Sequence, residues 1–250
     1  MVIDDDWFKV WFSSPYYHQL YFERGEAEAA AFIGKLMARL QPATGSFMVE
    51  AGCARGRDAK ILAGFGFDVT GFDISAESIQ AAKIAESETL HFFQHDMRLP
   101  FWINYFNYAF SFFTSFGYFR TEREHYNAIR TLSQSLKPDG VIVLDYLNIH
   151  HAERHLVHKT EKEFDGVNYF ITKWFDETHF YKKIIVEDYA REEPQTFIEK
   201  LFKFNLGDFN DMLSFHHLQI QEVFGDYDLS AFDLKNSPRM VIIAKKAVGV

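Results

Sequence analysis

Phe47-Met48-Val49-Glu50-Ala51-Gly52-Cys53-Ala54-Arg55-Gly56-Arg57 is the stretch whose reading decides the fold. An apolar run carries an acid, Glu50, to its end, and small residues at 52, 54 and 56 then turn the chain into a helix. Small residues let backbone approach a bulky ligand, and free N–H groups at a helix start favour a carboxylate or other anion. Glu50, Gly52, Cys53, Ala54 and Gly56 are therefore candidate binding residues, and a nucleoside-containing ligand fits this turn.

Outward from this turn, short apolar runs alternate with helical periods. Helix is predicted over 26–40, where Ala29, Ile33 and Met37 share a side with Phe32, Leu36 and Leu40. Strands at 47–51, 67–72, 90–94, 107–112 and 140–147 alternate with helices at 56–64, 76–86 and 122–136. Such alternation predicts βαβ units and a largely parallel sheet. Thr121 and Glu124 stand in capping-box spacing at the start of the last helix, and Pro138 and Gly140 are expected to end it.

After Asn148 the character changes. Residues 149–166 are polar and charged, with Lys159 to Lys162 reading as a solvated run, whereas 167–175, 179–189 and 196–205 read as strands of an antiparallel layer. Helix 207–217 and strands 219–226 and 239–246 follow. Residues 149–205 are thus expected to form an insertion or lid within one domain spanning 1–250. Residues 1–25 are dense in Trp, Tyr and Phe, up to Tyr21 and Phe22, and Ser13, Ser14 and Pro15 divide them into two short helices. They are expected to cap part of the body, with the Asp4-Asp5-Asp6 run in solvent.

Composition narrows the partners. The chain has 250 residues, a formal charge of −9, 18% aromatic residues and one cysteine. The negative charge disfavours a long nucleic acid, which needs Lys and Arg to displace counterions. One cysteine supports neither an internal disulfide nor a paired-cysteine zinc site, and no metal is expected. The acidic start MVIDDDWFKV and the lack of a long apolar run predict a cytoplasmic protein that makes no use of a membrane.

Two further acids follow the next strands. Asp73, in Thr70-Gly71-Phe72-Asp73-Ile74-Ser75, can accept hydrogen bonds from both hydroxyls of a ribose. Asp96, in Gln94-His95-Asp96-Met97, can take the amino group of adenine while Met97 packs on the ring. Open α/β sheets bind ligands outside the carboxyl ends of their strands, so Glu50, Asp73 and Asp96 on three consecutive strand ends mark such a site. A dinucleotide fingerprint counted from Gly52 requires glycine at 54 and 57, where Ala54 and Arg57 stand, and no phosphate-binding Gly-Lys-Ser/Thr loop is present. NAD, FAD and nucleotide hydrolysis are disfavoured.

The chain resembles the class I S-adenosylmethionine-dependent methyltransferases. Their first motif, acid-x-Gly-x-Gly-x-Gly, is matched by Glu50, Gly52, Ala54 and Gly56, with Ala54 in place of the middle glycine. Asp73 and Asp96 match the family's ribose-side and adenine-side acids, and Leu136-Lys137-Pro138-Asp139-Gly140 matches its approach to strand five. Phe106-Asn107-Tyr108-Ala109 resembles the fourth strand, with Asn107 where Asp is usual. The resemblance implies a doubly wound, mostly parallel seven-stranded sheet of Rossmann-like type with an antiparallel insertion after strand five. It also implies S-adenosyl-L-methionine as cofactor, held by Glu50, Gly52, Cys53, Ala54, Gly56, Asp73, Ile74, Asp96 and Met97, with Tyr16 and Tyr21 of the cap covering it.

The expected reaction moves the methyl group to an N or O atom of a small-molecule substrate. Phe116, Tyr118, Tyr146, His150 and His179 are the substrate-side candidates, and His125 reads as a core-edge residue. Methylation of RNA or protein on the same core, and binding of the cofactor without turnover, stay open, as does a homodimer formed through the aromatic cap.

Overall fold

The structure, a computed structural model, describes residues 7–21 and 25–247. Phe22 and the Asp4-Asp5-Asp6 run lie outside the described residues. In chain order the elements are α1 (Trp7–Phe12), α2 (Pro15–Tyr21), α3 (Glu26–Leu40), β1 (Phe47–Ala51), α4 (Arg57–Gly64), β2 (Asp68–Asp73), α5 (Ala76–Ala82), β3 (Leu90–Gln94), β4 (Phe106–Ser111) and α6 (Glu122–Ser135). They continue with β5 (Leu136–Leu147), α7 (Ile149–Arg154), β6 (Lys159–Phe164), β7 (Val167–Phe175), β8 (His179–Asp188), β9 (Gln195–Phe202), α8 (Leu206–Phe215), β10 (Leu218–Phe224) and β11 (Arg239–Lys246).

Seven strands form one sheet in the order β10-β11-β5-β4-β1-β2-β3. From β3 across to β5 every pairing is parallel, and only β11 is reversed, pairing antiparallel with both β5 and β10. β1 lies between β2 and β4, so the chain winds outward to β3 and then restarts on the other side of β1. Loops leaving β1 and β4 therefore diverge and open a crevice at the carboxyl ends of these strands.

Burial on both sheet faces explains the near-continuous apolar strands. One core joins Val49, Ala109, Ile142 and Leu144 to Ile129 and Leu132 of α6 and Phe209 and Leu213 of α8. The opposite core joins Met48, Val69, Phe110 and Val143 to Phe32, Ile33 and Leu36 of α3 and Leu62 of α4. The Thr121 hydroxyl accepts the Glu124 N–H as its capping-box spacing predicts. Pro138 and Gly140 do not end α6: the helix stops at Ser135, and Leu136 already begins β5.

A second sheet, β6-β7-β8-β9, is antiparallel throughout. The Lys159–Lys162 run is not simply a solvated charge run, because it forms the edge strand β6, where alternating charges suit an exposed edge. The two short aromatic helices pack on this sheet: Trp11, Tyr16 and Leu20 are buried against Val167, Tyr169, Ile171, Ile184 and Val186. Among the described residues no helix is long and apolar enough to cross a membrane.

Gly56 closes the first turn for a packing reason. Its φ is +75°, and a Cβ there would lie 2.4 Å from the buried ring of Phe92 on β3. Gly56→Ala therefore combines left-handed strain with overpacking, and urea unfolding should show a loss of about 2–4 kcal/mol. Adding Phe92→Leu should recover the steric part, and a loss below about 1 kcal/mol would contradict this packing account.

His125 is fully buried against Phe116, Phe119, Phe202 and Phe204. Its hydrogen bonds assign a neutral ring: Nδ1–H donates to the Thr121 carbonyl at 2.8 Å, and Nε2 accepts the Phe119 N–H at 3.3 Å. Burial lowers its pKa from 6.5 to about 4, against the opposing pull of backbone carbonyls. The unfolded chain takes up this proton first as the pH falls, so stability is full above pH 6.5 and declines toward pH 4. Denaturant melts should show about 2 kcal/mol lost from this group by about pH 5, and a smaller slope in His125→Gln. Equal slopes in the two proteins would contradict it.

Candidate active site

The turn after β1 is held in shape by its neighbours. Gly52, Ala54 and Gly56 all have left-handed backbone, with φ of 78°, 46° and 75°. The N–H groups of Gly52 and Cys53 donate to the Phe72 carbonyl at 2.8 and 3.1 Å, binding the turn to the end of β2. Asp73 completes the attachment: Oδ2 accepts the Ala54 N–H at 2.9 Å, and Oδ1 accepts the Ser75 N–H at 2.9 Å. Gly52 also passes close to the loop after β4, since a Cβ on it would sit 2.7 Å from Ser115 Cβ.

These loops floor a cavity of about 950 Å³. Gly52, Cys53, Ala54, Asp73, Ile74, Asp96 and Met97 line it, as do Tyr21 and Tyr118. The sequence-predicted residues from three strand ends are thereby brought around one space. A carboxylate offers about four acceptor positions, and the backbone N–H groups of Ser75, Ala54 and Ile74 draw on three, leaving capacity toward the cavity. Burial raises its pKa despite the backbone N–H donors.

Asp96 is engaged differently from expectation. Its oxygens accept from Arg98, with Nη2 to Oδ2 at 2.6 Å and Nε to Oδ1 at 3.0 Å, and Arg98 also pairs with Glu124 at 3.0 Å. Burial pushes the Asp96 pKa up, but the Arg98 contacts win and hold it below the ordinary value. Its carboxylate fixes the loop carrying Met97 rather than standing open.

Glu50 lies behind the cavity wall, 2% exposed, and its Oε2 has no hydrogen-bond partner among the described residues. Burial, followed by repulsion from Asp58, drives its pKa well up, with Arg57 opposing. Asp58 is itself joined to Arg57 at 2.7 Å. This buried acid accepts from the Ala59 backbone and keeps one oxygen without a partner, so a positive charge brought to the turn after β1 would favour its ionised form.

Other expected contacts are absent from the cavity. Gly56 is turned toward Phe92, and Tyr16 is turned toward the second sheet, where its hydroxyl donates to Asp188 Oδ2 at 2.7 Å. Phe116 belongs to the core against Phe204 and Phe209. Tyr146 is buried with it, donating to the Phe202 carbonyl. His150 sits exposed on α7. His179 is buried against Phe202, Nδ1 within 2.8 Å of the Thr178 hydroxyl, and burial lowers its pKa to about 4. These placements correct the expectation that the five residues Tyr16, Phe116, Tyr146, His150 and His179 face a ligand.

Sequence reasoning passed over His18, Arg239 and three residues of the second sheet, Lys173, Lys182 and Glu199, and read Lys162 only as part of a solvated run, yet all of them line the cavity. Alternation along β6 and β7 could have grouped Thr160 with Lys162 and Ile171 with Lys173 on one face. Nothing in the alternation says which end of that face opens into the crevice. Arg239 is held by Asp145 at 2.7 Å and donates to the Thr114 hydroxyl at 2.8 Å, closing the cavity beside β4.

Comparison with known proteins was made against this geometry. A family model described as methyltransferase domain matches residues 21–182. The putative methyltransferase YqeM of Bacillus subtilis (strain 168) is 29% identical over 101 residues, covering 39% of this chain and 41% of that relative's length. Among solved structures, an S-adenosylmethionine-dependent methyltransferase from Clostridium acetobutylicum ATCC 824 superposes with a TM-score of 0.78 at 14% identity, covering 93% of this chain and 96% of that one. CalS10, an amino pentose methyltransferase from Micromonospora echinaspora solved with its S-adenosylmethionine, gives 0.67 at 19% identity, covering 94% and 98%. The chain belongs to the methyltransferase domain family, and its fold is that of the S-adenosylmethionine-dependent methyltransferases.

Proposed function

We propose that this protein transfers the methyl group of S-adenosylmethionine to an N or O atom of a small-molecule acceptor. The observation that carries this reading is the cavity over Gly52 and Asp73, floored by strand ends and walled by the second sheet. At about 950 Å³ it is near the top of the roughly 300–1,000 Å³ range of small-molecule sites, leaving room for a nucleoside cofactor and a second molecule. The likeness to the amino pentose methyltransferase CalS10 supports an acceptor of that size.

The cofactor supplies an activated methyl on a sulfonium, so the chain's task is alignment and exclusion of water. Asp73 would accept from the ribose hydroxyls with the acceptor capacity its backbone donors leave. Ile74 and Met97, which line the same cavity, would pack against the adenine, with Asp96 and Arg98 fixing the loop that carries Met97. Backbone at Gly52, Cys53 and Ala54 would meet the amino-acid tail, and an ammonium brought there would favour ionisation of the Glu50 carboxyl behind this wall. On the acceptor side Tyr118 joins Trp7 and Phe12 in edge-to-face contacts at 5.9 and 5.2 Å. These rings keep water from the transfer path and offer π faces to the sulfonium. One cysteine in 250 residues fits a reducing, cytoplasmic setting.

Calorimetry with S-adenosylhomocysteine tests the donor half. Asp73→Asn should weaken binding about 10–100-fold, the worth of one or two hydrogen bonds to a charged group, with an unchanged circular dichroism spectrum. Wild-type protein giving no heat would contradict the donor site. The acceptor half is tested with labelled S-adenosylmethionine and a fractionated cell extract. Label should enter the low-molecular-weight fraction, whereas label confined to RNA or protein would contradict a small-molecule acceptor.

A further inference from the structure

The second sheet has two faces, and one of them is left uncovered by the chain. Alternation turns Tyr169, Ile171, Ile184 and Val186 onto the aromatic helices. The opposite parity turns Phe170, Trp174, Tyr181, Ile185 and Ile198 outward, where none is buried and none packs on any of the three cores. Phe170 and Ile185 are directly opposed across β7 and β8, and Trp174, 38% exposed, stacks on Tyr181 with ring centroids 5.3 Å apart. An antiparallel sheet with one face in water carries polar residues there. This face has an apolar centre instead.

The charges around that centre are sorted along the strands. Ladder pairing sets Glu163 and Glu187 in the row of Asn168, and Glu161 in the next row beside Phe170 and Ile185. Lys159 and Lys183 share the following row with Thr172, and Lys200 stands in the last beside Tyr181. Three acids hold one half of the face and three lysines the other. Among the described residues none of the six forms an ion pair. The bounding turns keep the division. Asp165, Glu192 and Glu193 join the acidic end, with Arg191 set over the Tyr16 ring of the inner face, so that end is net negative by five (1 − 6). At the lysine end Asp176 accepts from the Thr178 N–H and the Tyr181 hydroxyl, and with Glu177 it leaves a net positive charge of one (3 − 2).

A face divided in this way is matched by a second copy of itself. A two-fold axis lying in the face and running across the strands lays the acidic half of each copy over the lysine half of the other, and the apolar centres meet. A nucleic acid or an anionic membrane calls for one sign of charge throughout. We infer that the outer face of β6 to β9 is the interface of a homodimer, two such sheets packed face to face about that axis, with Glu161 against the partner's Lys159. The aromatic helices are not this interface, because Trp11, Tyr16 and Leu20 are spent on the inner face. Lys182 of the cavity wall lies between Tyr181 and Lys183 of the outer face, so pairing braces the wall from behind. The inference is independent of the methyl-transfer reading.

Sedimentation equilibrium of the whole protein should give twice the mass of one chain at about 10 μM, with weaker association as salt is raised. Ile185→Glu, which puts a charge into the apolar centre, should raise the dissociation constant about 100-fold with an unchanged circular dichroism spectrum. Glu161→Lys should weaken association about tenfold, and adding Lys159→Glu should recover most of that loss, because the swap restores the facing pair. Both positions lie on the exposed strand β6, so they decide the matter even where Ile185→Glu does not fold. A monomer at every concentration up to about 100 μM would overturn the inference. So would a dimer that a folded Ile185→Glu leaves intact, or a Glu161→Lys effect that is absent or that the swap does not recover.

Discussion

The carboxylate of Asp73 is the clasp on which the site depends. By accepting the N–H groups of Ala54 and Ser75 it ties the turn after β1 to the turn after β2. That turn needs holding, because Ala54 occupies left-handed backbone that an L residue enters at about 1–2 kcal/mol. Hydrogen bonds to a charged acceptor are worth about 1.5–3 kcal/mol each, enough to keep it there. The same oxygens that organise the turn face the cavity, so a group needed for shape is also offered to a ligand. The Phe72 carbonyl, receiving Gly52 and Cys53, shares this work and makes the two strand ends one rigid edge.

Much of this was legible in sequence because it is local. The alternation of apolar strands with helical periods from residue 26 to residue 147 follows from burial of each strand on both faces, and it placed Glu50, Asp73 and Asp96 at consecutive strand ends. What the alternation leaves open is direction. Tyr16 and Tyr21 lie on the same helix five residues apart, hence about 140° apart around its axis. One meets Asp188 on the second sheet and the other meets Glu199 at the cavity. Tyr146 lies on β5, where its hydroxyl is spent on the Phe202 carbonyl beneath Gly117. Such outcomes depend on which layer covers each face, and that is settled by contacts distant in the chain.

The second sheet was only partly legible for the same reason. Its three longer strands carry apolar alternation, but β6 is charged along most of its length and becomes a strand through pairing with β7. Its inner face changes character along its length: apolar where Trp11, Tyr16 and Leu20 cover it, charged where Lys173, Lys182 and Glu199 reach the cavity. One sheet thus anchors the aromatic helices at one end and walls the site at the other. Trp11 and Tyr21, both bonded to Glu199, link those two tasks.

The central claim is that the edge formed by Gly52, Asp73 and Met97 holds an adenosine with a charged amino-acid tail. A crystal structure of the protein with S-adenosylhomocysteine tests it most directly. The account predicts Asp73 oxygens within hydrogen-bond distance of both ribose hydroxyls, adenine between Ile74 and Met97, and the tail over Gly52. A ligand bound elsewhere, or an Asp73 that keeps only its backbone amide partners, would contradict it.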